Sequence, residues 1–424
     1  MKDPAHPTLA RRIIEATVTV LALAGLGLVL FYVNATLGLY GMIPDGVVNA
    51  CNLSLPWLLL AGIIWAVWKR TPLRLSGPIF GLSAGFLLYL AWDDPAPPSP
   101  QVLPPLAPAN SRGYEVYRWL LKRDPGSRIK DHPEIRTKLP AFLSEAAKWS
   151  EFVRQHRPAW EKVWAEDTLG REWIAAMAEQ APEGIYPNAG LSAPSLDFSR
   201  VRMALGEHWA QAHLLLDDGK PDEAVRILLT VLQAGHHLQR GGTGMLTHTT
   251  ASIANKGTLQ RLEQVLATGG LSDETKAQIA SVLRQAPPIR QNISQVFAGE
   301  EIMALDAIAM TRDKIGRQSP EDPPPSRYAP PVLLTRLLFN PNRTEREHVT
   351  YLRDASRLSQ ERQTGETEAM KQFERLIEER RVKNPIGQQL AAMSVPAFRG
   401  TIKSFWETDD LRLALLKRLE PESR

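Results

Sequence analysis

The chain of 424 residues is long enough for two or more folding units, and its charge is nearly balanced, with 50 Lys and Arg against 46 Asp and Glu. Because no dense basic block accompanies the formal net charge of +4, the sequence argues against a nucleic-acid partner. The single cysteine, Cys51, excludes a disulfide within the chain. No cofactor is predicted, since the sequence has no phosphate-loop motif and no metal-binding cysteine pair.

Three apolar runs come first along the chain, at about residues 13–33, 53–68 and 75–92, and they define a predicted membrane domain over residues 1–94. Each run approaches the ~20 residues that a membrane helix needs, although the second and third are short. Aromatic residues that favour the membrane interface lie towards the ends of the runs: Trp57, Trp65, Trp68, Tyr89 and Trp92. We therefore expect three transmembrane helices in a lipid bilayer.

The orientation of these helices is predicted from the basic residues around them. Six basic residues precede the first run or separate the second from the third: Lys2, Arg11, Arg12, Lys69, Arg70 and Arg74. The positive-inside rule then predicts a multi-pass inner-membrane protein with a cytoplasmic N terminus and a periplasmic C-terminal domain. Alternatively, the first run is a signal peptide cleaved near residues 33–35, and the two remaining crossings leave the domain on the same side.

The third apolar run contains a regular row of small residues. Gly77, Gly81 and Gly85 recur every four residues, a pattern that lets membrane helices approach closely. The same stretch, "GLSAG", matches the G-x-S-x-G string of serine hydrolases, but none of the three apolar runs contains a histidine. The row is therefore predicted to serve membrane helix packing.

Beyond the apolar runs, the sequence predicts an all-α chain. A proline-rich linker is expected at residues 95–108, followed by a helical domain at 109–318. A second proline-rich loop at 319–331 then precedes a C-terminal helical region at 332–424. Glycine and proline separate long stretches with helical spacing, and alternating strand patterns are scarce.

A helix, a tight turn and a second helix are predicted between residues 200 and 239. The turn "DDGKP" places Gly219 where a left-handed C-cap is needed and proline at the first position of the next helix. The pair resembles one tetratricopeptide (TPR) unit of about 34 residues, through Ala212, Gly219, Ala224 and Leu228. Because the other helix pairs do not repeat this signature, the resemblance implies a TPR-like α-helical array rather than a regular solenoid.

A broader resemblance extends from about residue 110 to the C terminus. Its segments occur in the order "NSRGYEVYRWLL", "GKPDEAVRILLTVLQAGHHL", "LQRLEQVLATGGLSDE" and "FNPNRT". In this order the chain resembles a group of bacterial membrane-anchored helical proteins with no known activity. The resemblance implies an architecture and brings no catalytic residue with it.

Two sets of residues are candidates for a functional site. His208, His236 and His248 would supply three imidazoles for zinc, but without the spacing typical of zinc motifs, so no metal is predicted. Glu300 is predicted to lie on the Val296 side of its helix and to be partly buried, where a carboxylate needs a partner or has a raised pKa. A structural salt bridge to an arginine is the preferred interpretation of Glu300.

These features together predict a non-catalytic, membrane-anchored scaffold for protein interactions, or an accessory subunit of a membrane complex. The alternative is an envelope-acting enzyme or ligand-binding protein that uses Glu300 or the set of His208, His236 and His248. In a third hypothesis, the row of Gly77, Gly81 and Gly85 packs the chain inside a larger membrane complex.

Overall fold

The structure is a computed structural model, and all secondary structure that it describes is helical. This finding confirms the predicted all-α class. The predicted proline-rich segments, at 96–108 and 319–331, lie outside the described residues. The described residues are 9–39, 42, 45–69, 73–95, 132–136, 146–179, 198–241, 244–286, 288, 293–316, 337–359, 371, 375 and 384–420.

The helices of these residues, in chain order, are α1 (Leu9–Leu39), α2 (Asp45–Lys69), α3 (Leu73–Ala91), α4 (Pro133–Arg136), α5 (Ala146–Gln155), α6 (Arg157–Glu166), α7 (Thr168–Glu179), α8 (Phe198–Asp217), α9 (Pro221–Gly241), α10 (Met245–Thr268), α11 (Asp273–Gln285), α12 (Ile293–Gly316), α13 (Pro341–Ser359) and α14 (Pro385–Leu419).

The chain divides into two compact units, each built from segments that are distant in sequence. Unit 1 comprises Met1–Ser99, Ala304–Thr350 and Lys371–Pro396, and unit 2 comprises Pro100–Met303, Tyr351–Met370 and Ala397–Arg424. This grouping differs from the predicted linear order of a membrane domain, a helical domain and a C-terminal region. The difference arises because parts of the region after residue 332 pack with the N-terminal apolar helices.

Helix α1 is the centre of unit 1, where it packs against both α2 and α3. Two glycines of α1 permit the close approach of its neighbours. A Cβ at Gly25 would lie 3.0 Å from the Cβ of Ser83, and a Cβ at Gly27 would overlap the side chain of Leu59. Small residues at contacts are typical of helices that pack within a membrane. The buried stripe of α3 likewise has a seven-residue spacing, at Ser76, Ser83 and Leu90.

The outer surface of α1, α2 and α3 is apolar. Among the large apolar side chains that are exposed in the described residues, all but Leu246, Met310 and Leu413 precede residue 93. A surface facing water rarely carries so extensive an apolar patch, whereas a surface facing lipid does. The most exposed of these side chains are Leu82 at 77%, Leu9 and Trp92 at 74%, and Trp57 at 73%.

Only one of the three predicted spans has the length and composition of a complete membrane span in the described residues. Leu9–Leu37 meets the requirement with a mean hydropathy of 2.2, and both membrane anchors and N-terminal signal sequences have this character. The apolar parts of the other two helices, Leu53–Trp65 and Leu75–Ala91, are only 10–17 residues long. By length and composition, one full-length span is therefore supported instead of three, and the apolar part of α2 is short because its first turns contain polar residues such as Asn49. A crossing by the shorter helices α2 and α3 stays a prediction.

The end of α3 and the start of α13 cap each other within unit 1. The Asp93 carboxylate accepts the backbone N–H groups of Asn342 and Arg343 at 3.1 and 3.2 Å. In return, Nδ2 of Asn340 donates to the carbonyl of Leu90 at 3.1 Å. Each bond satisfies a backbone group that has no partner inside its own helix. The two helix ends are thus joined by reciprocal hydrogen bonds.

Asn384 adds the start of α14 to this junction. It has a positive φ of 64°, and its Oδ1 accepts the backbone N–H of Asn340 at 2.9 Å. Its Nδ2 donates to the hydroxyl of Thr344 at 2.9 Å, and that hydroxyl donates to the Asn340 carbonyl at 2.8 Å. The segment "FNPNRT" at residues 339–344 is therefore the point where the ends of α3, α13 and α14 are held together.

The predicted helix pair, α8 and α9, forms the centre of unit 2. The two helices pack against each other, and α8 also contacts α5, α6, α7 and α10. The turn has the predicted geometry, with a φ of 74° at Gly219 and Pro221 as the first residue of α9. Ala212, Ala224 and Leu228 are all buried in the core. The helix–turn–helix prediction is confirmed, and the relation to the TPR family stays a prediction.

Large apolar side chains fill the core of unit 2. Fully buried tryptophans come from three helices that surround α8 and from α8 itself: Trp149, Trp160, Trp173 and Trp209. The rings of Trp149 and Trp160 pack edge to face at 5.4 Å. Such aromatic pairs add to the free energy gained by removing the rings from water. These four tryptophans therefore belong to the core of unit 2.

Candidate functional site

The three candidate metal-binding histidines do not form a common site. His208 is buried, and its Nδ1 lies 2.8 Å from the carbonyl oxygen of Ala204 in the preceding turn of α8. The ring of His248 packs at 6.3 Å from that of Phe405. Among the described residues, no group of three His, Cys, Asp or Glu side chains could hold a metal ion. The alternative that combined His208, His236 and His248 is therefore corrected to separate buried histidines.

The adjacent histidines near the end of α9 have structural environments. Burial is the main cause that lowers the pKa of His208 to about 4 and that of His236 to about 3, so both are neutral at pH 7. Nδ1 of His237 lies 2.9 Å from the Met177 carbonyl of α7. The histidine pair thus contributes one side chain to the core and one to the contact between α9 and α7.

Glu300 has a structural partner that differs from the predicted arginine. Its Oε1 accepts the backbone N–H of Met245, the first residue of α10, at 2.5 Å. Gly244 cannot cap this helix with a side chain, so the carboxylate of Glu300 supplies the missing acceptor at the positive end of the helix dipole. Burial raises the pKa of Glu300, while the backbone hydrogen bond opposes that change. The predicted partial burial is confirmed, and the predicted salt bridge is replaced by a helix cap.

The neighbouring acid, Glu301, forms the ion pair that had been expected for Glu300. Its side chain is 2% exposed, and its two oxygens accept from Nε and Nη2 of Arg353 at 3.0 and 2.7 Å. A bidentate pair of this kind compensates a carboxylate that is removed from water. Both glutamates of α12 therefore have structural partners within unit 2.

The glycine row of α3 faces away from the packed interior of unit 1. A Cβ built at Gly77, Gly81 or Gly85 would meet no other atom of the described residues within 4 Å. The contacts inside unit 1 use Ser76 and Ser83 on a different side of the helix. The predicted packing role of the glycines stays a prediction, since no helix of the described residues packs against this row.

A pocket in unit 2 brings together residues that the sequence did not single out. It has a volume of about 770 Å³ and lies between α5, the turn joining α8 to α9, and the C-terminal end of α10. Ligand sites commonly have this size and combine apolar walls with a few polar groups. The polar side chains that line it are Ser150, Arg154, His213, Asp217, Gln264 and Thr268, and the apolar ones include Leu216 and Val265.

A serine and a histidine contact each other in this pocket. The hydroxyl of Ser150 lies 3.2 Å from Nδ1 and 3.3 Å from Nε2 of His213. Burial first, and then the charges of Arg261 and Arg154, lower the pKa of His213 to about 3. Such an imidazole is too weak a base at neutral pH to activate a hydroxyl for nucleophilic attack. The pair is suited to hydrogen bonding with a ligand rather than to catalysis.

An ion pair stands at the rim of the pocket. Nε of Arg154 donates to both carboxylate oxygens of Asp217, at 3.1 and 2.9 Å. The Arg154 side chain remains 62% exposed, while that of Asp217 is 25% exposed. Because the pair uses only Nε, the two Nη groups of Arg154 are available for a second acceptor.

A buried cation lies one helical turn from the pocket wall. Arg261 is 1% exposed; its Nη1 donates to the Gly257 carbonyl at 2.7 Å, and its guanidinium lies 4.2 Å above the Trp209 ring. Its Nε and Nη2 have no hydrogen-bond partner within the part of the chain that the structure describes. Burial lowers the pKa of Arg261 to about 9, so the charge persists at pH 7. Sequence reasoning missed Arg261, although it lies four residues before Val265 on a buried row.

Comparison of the chain with protein-family models, with curated proteins and with solved structures found no match.

Proposed function

We propose that this protein is a membrane-anchored, non-catalytic helical scaffold that holds a binding domain at the surface of a membrane. The observation that carries the proposal is the outer surface of α1, α2 and α3, where large apolar side chains such as Trp57 and Leu82 are exposed. Lipid is the solvent in which that surface is stable, because water would not tolerate an apolar patch of this extent.

The proposal includes three crossings of the inner membrane. Although only Leu9–Leu37 has full spanning length, α2 and α3 both pack against α1 and share its apolar exterior. A helix shorter than the bilayer can be accommodated by local thinning of the lipid. The distribution of basic residues then places the N terminus in the cytoplasm and unit 2 in the periplasm.

A protein partner completes the proposal. The open side of α3, marked by Gly77, Gly81 and Gly85, offers a membrane helix of another protein a surface without side chains. The role is therefore that of an accessory subunit, and the chain itself supplies no chemical step.

The single cysteine allows the topology to be tested directly. Cys51 is exposed and precedes the apolar part of α2, which the proposal places at the periplasmic side. We expect a membrane-impermeant maleimide to label Cys51 in intact spheroplasts. In a Cys51→Ser background, Lys69→Cys should react only after the membrane is permeabilised, whereas Asp273→Cys, at a side chain that is fully exposed, should react without permeabilisation.

Three results would contradict the proposal. Release of the chain by alkaline carbonate would show that it is not integrated in the bilayer. Labelling of Lys69→Cys in intact spheroplasts would show that the second crossing is reversed or absent. Recovery of the chain without residues 1–35 would show that the first run is a cleaved signal peptide.

A further inference from the structure

The geometry points to a binding site for a small organic anion, a carboxylate or a phosphate ester, in the pocket formed by Ser150, Arg154 and His213 of unit 2. The inference does not depend on the membrane placement, because every residue that carries it belongs to unit 2. It assigns a ligand to a domain that the proposed function describes only as a scaffold.

The pocket offers hydrogen-bond donors arranged around one open volume. Ser150 carries a hydroxyl, Arg154 has two Nη groups outside its ion pair, and Gln264 carries a side-chain amide. Arg154 is held in place by Asp217, which lies at 2.9 Å from its Nε. A guanidinium fixed in this way loses little conformational entropy when it binds an oxyanion.

Arg261 tips the charge balance at the described pocket wall towards positive. Among the described residues of the lining, Asp217 is the one carboxylate and it forms an ion pair with Arg154, which Glu151 also approaches from outside the lining. Arg261 adds a second cation behind the wall, and its Nε and Nη2 have no hydrogen-bond partner in the described part of the chain. A charge at the edge of an apolar core is weakly screened, so its field extends into the pocket.

The buried charge of Arg261 also favours a ligand-binding site over a pocket that results only from imperfect packing. An uncompensated guanidinium in a protein core is destabilising, and an apolar residue of similar size would serve packing better. Its retention beside Trp209, at 4.2 Å, is explained if a bound anion uses its charge. After burial, the charge of Arg261 is a further cause of the lowered pKa of His213 at the pocket wall.

The test is calorimetric titration of the full chain in mild detergent and low-chloride buffer at pH 7.5. The probes are inorganic phosphate, succinate and, as the opposite charge, methylammonium. We expect phosphate or succinate to bind and methylammonium not to bind. The tighter of the two anions identifies the ligand class as a phosphate ester or a carboxylate.

Matched variants locate the site. Arg154→Gln should weaken anion binding by about tenfold, because one charge-assisted hydrogen-bonding group is removed. Arg157→Gln is the control, since Arg157 forms a similar pair with Asp218 at 2.7 Å but does not line the pocket. Arg261→Met should weaken binding while leaving the melting temperature unchanged or higher, which a purely structural role for Arg261 would not produce.

Three outcomes would overturn the inference. In the first, neither anion binds the wild-type chain. In the second, methylammonium binds instead, which would reverse the sign of the site. In the third, Arg157→Gln weakens binding as much as Arg154→Gln, which would indicate a diffuse surface effect. If a charge variant fails to fold, Ser150→Ala, which is a small change at a partly exposed residue of the pocket, replaces it as the variant that tests anion binding.

Discussion

The interiors of the two units differ in the size of the residues that fill them. Between the helices α1 and α3 of unit 1, many buried positions are occupied by small or hydroxyl-bearing residues beside the larger Tyr32 and Leu90, whereas the core of unit 2 contains several fully buried tryptophan rings. The buried residues of unit 1 include Thr19, Ala22, Thr36, Ser76 and Ser83, and those of unit 2 include Trp149, Trp160, Trp173 and Trp209.

With unit 1 in the proposed membrane, this contrast follows from the solvent around each unit. In water, a helix gains free energy by burying its large apolar side chains. In lipid that gain disappears, so large apolar side chains can remain outside while small residues bring the helices into contact. Hydroxyls such as that of Thr36 then donate within the helix, here to the Tyr32 carbonyl at 2.9 Å. The four predictions below test this contrast.

Acid should destabilise unit 2 before unit 1. Burial holds the folded-state pKa of His208 at about 4 and those of His213 and His236 at about 3, below the ordinary value of ~6.5. The unfolded chain therefore binds these protons more readily, and the stability present above pH 6.5 is lost as the pH falls towards 4. We expect a loss of about 2 kcal/mol per histidine at pH 5.

Hydrogen exchange followed by mass spectrometry between pH 7 and pH 5 measures this effect in each unit separately. His236→Gln, which removes one of the three protonation sites, should make the stability of unit 2 less dependent on pH. An equal response in wild-type and variant chains would contradict the assignment to buried histidines.

Trp209→Ala should destabilise unit 2 by about 3–5 kcal/mol, because it leaves a large cavity in a close-packed core. It also removes the hydrogen bond from Nε1 of Trp209 to the hydroxyl of Thr258, at 3.0 Å. Trp57→Ala is the matched control in unit 1, where the ring is 73% exposed and its loss should cost less than ~1 kcal/mol. Denaturant titration in detergent measures the free energy of unfolding of both variants. Equal losses of stability would contradict the expected difference between the two units.

Gly27→Leu should disrupt the contact between α1 and α2, at a cost of about 1–3 kcal/mol, because any Cβ at this position overlaps Leu59. Gly81→Leu is the control within the same unit, since the space around Gly81 is open. The thermal unfolding temperature should fall for Gly27→Leu and stay unchanged for Gly81→Leu. Loss of a co-purifying membrane partner in Gly81→Leu alone would support the predicted role of the glycine row, and retention would oppose it.

The smallest effect is expected at the junction of unit 1. Asp93→Ala removes the acceptor of three backbone N–H groups, two of them in α13, and should destabilise the start of α13 by about 1 kcal/mol. Asp94→Ala is the control, because the side chain of Asp94 forms only a long ion pair with Arg346, at 4.0 Å. Faster hydrogen exchange near residues 341–345 in Asp93→Ala, and not in Asp94→Ala, is the expected result.

Local patterns predicted the local structure well. Gly219 and Pro221 fixed the turn between α8 and α9, and Ser272 similarly begins α11, where its hydroxyl accepts the Thr275 N–H at 3.2 Å. These features depend on residues a few positions apart, so one sequence contains the information needed.

Long-range contacts were not predictable in the same way. The partial burial of Glu300 followed from its helix face, but its partner, the Met245 N–H, lies 55 residues away in the sequence. The pairing of Asp93 with Asn342 and the position of Arg261 above Trp209 depend on how helices pack, which no spacing within a helix reveals. The pocket of unit 2 was missed for this reason.

The reciprocal caps of unit 1 impose an order of events on biosynthesis. Leu90 and Asn340 are separated by 250 positions, so the end of α3 leaves the ribosome long before its partner exists. At roughly 5–20 residues per second, the interval is on the order of ten to fifty seconds. A nascent chain interrupted before "FNPNRT" would contain α3 without the hydrogen-bond partners of Asp93 and of the Leu90 carbonyl. Completion of translation is thus itself a step in assembling unit 1.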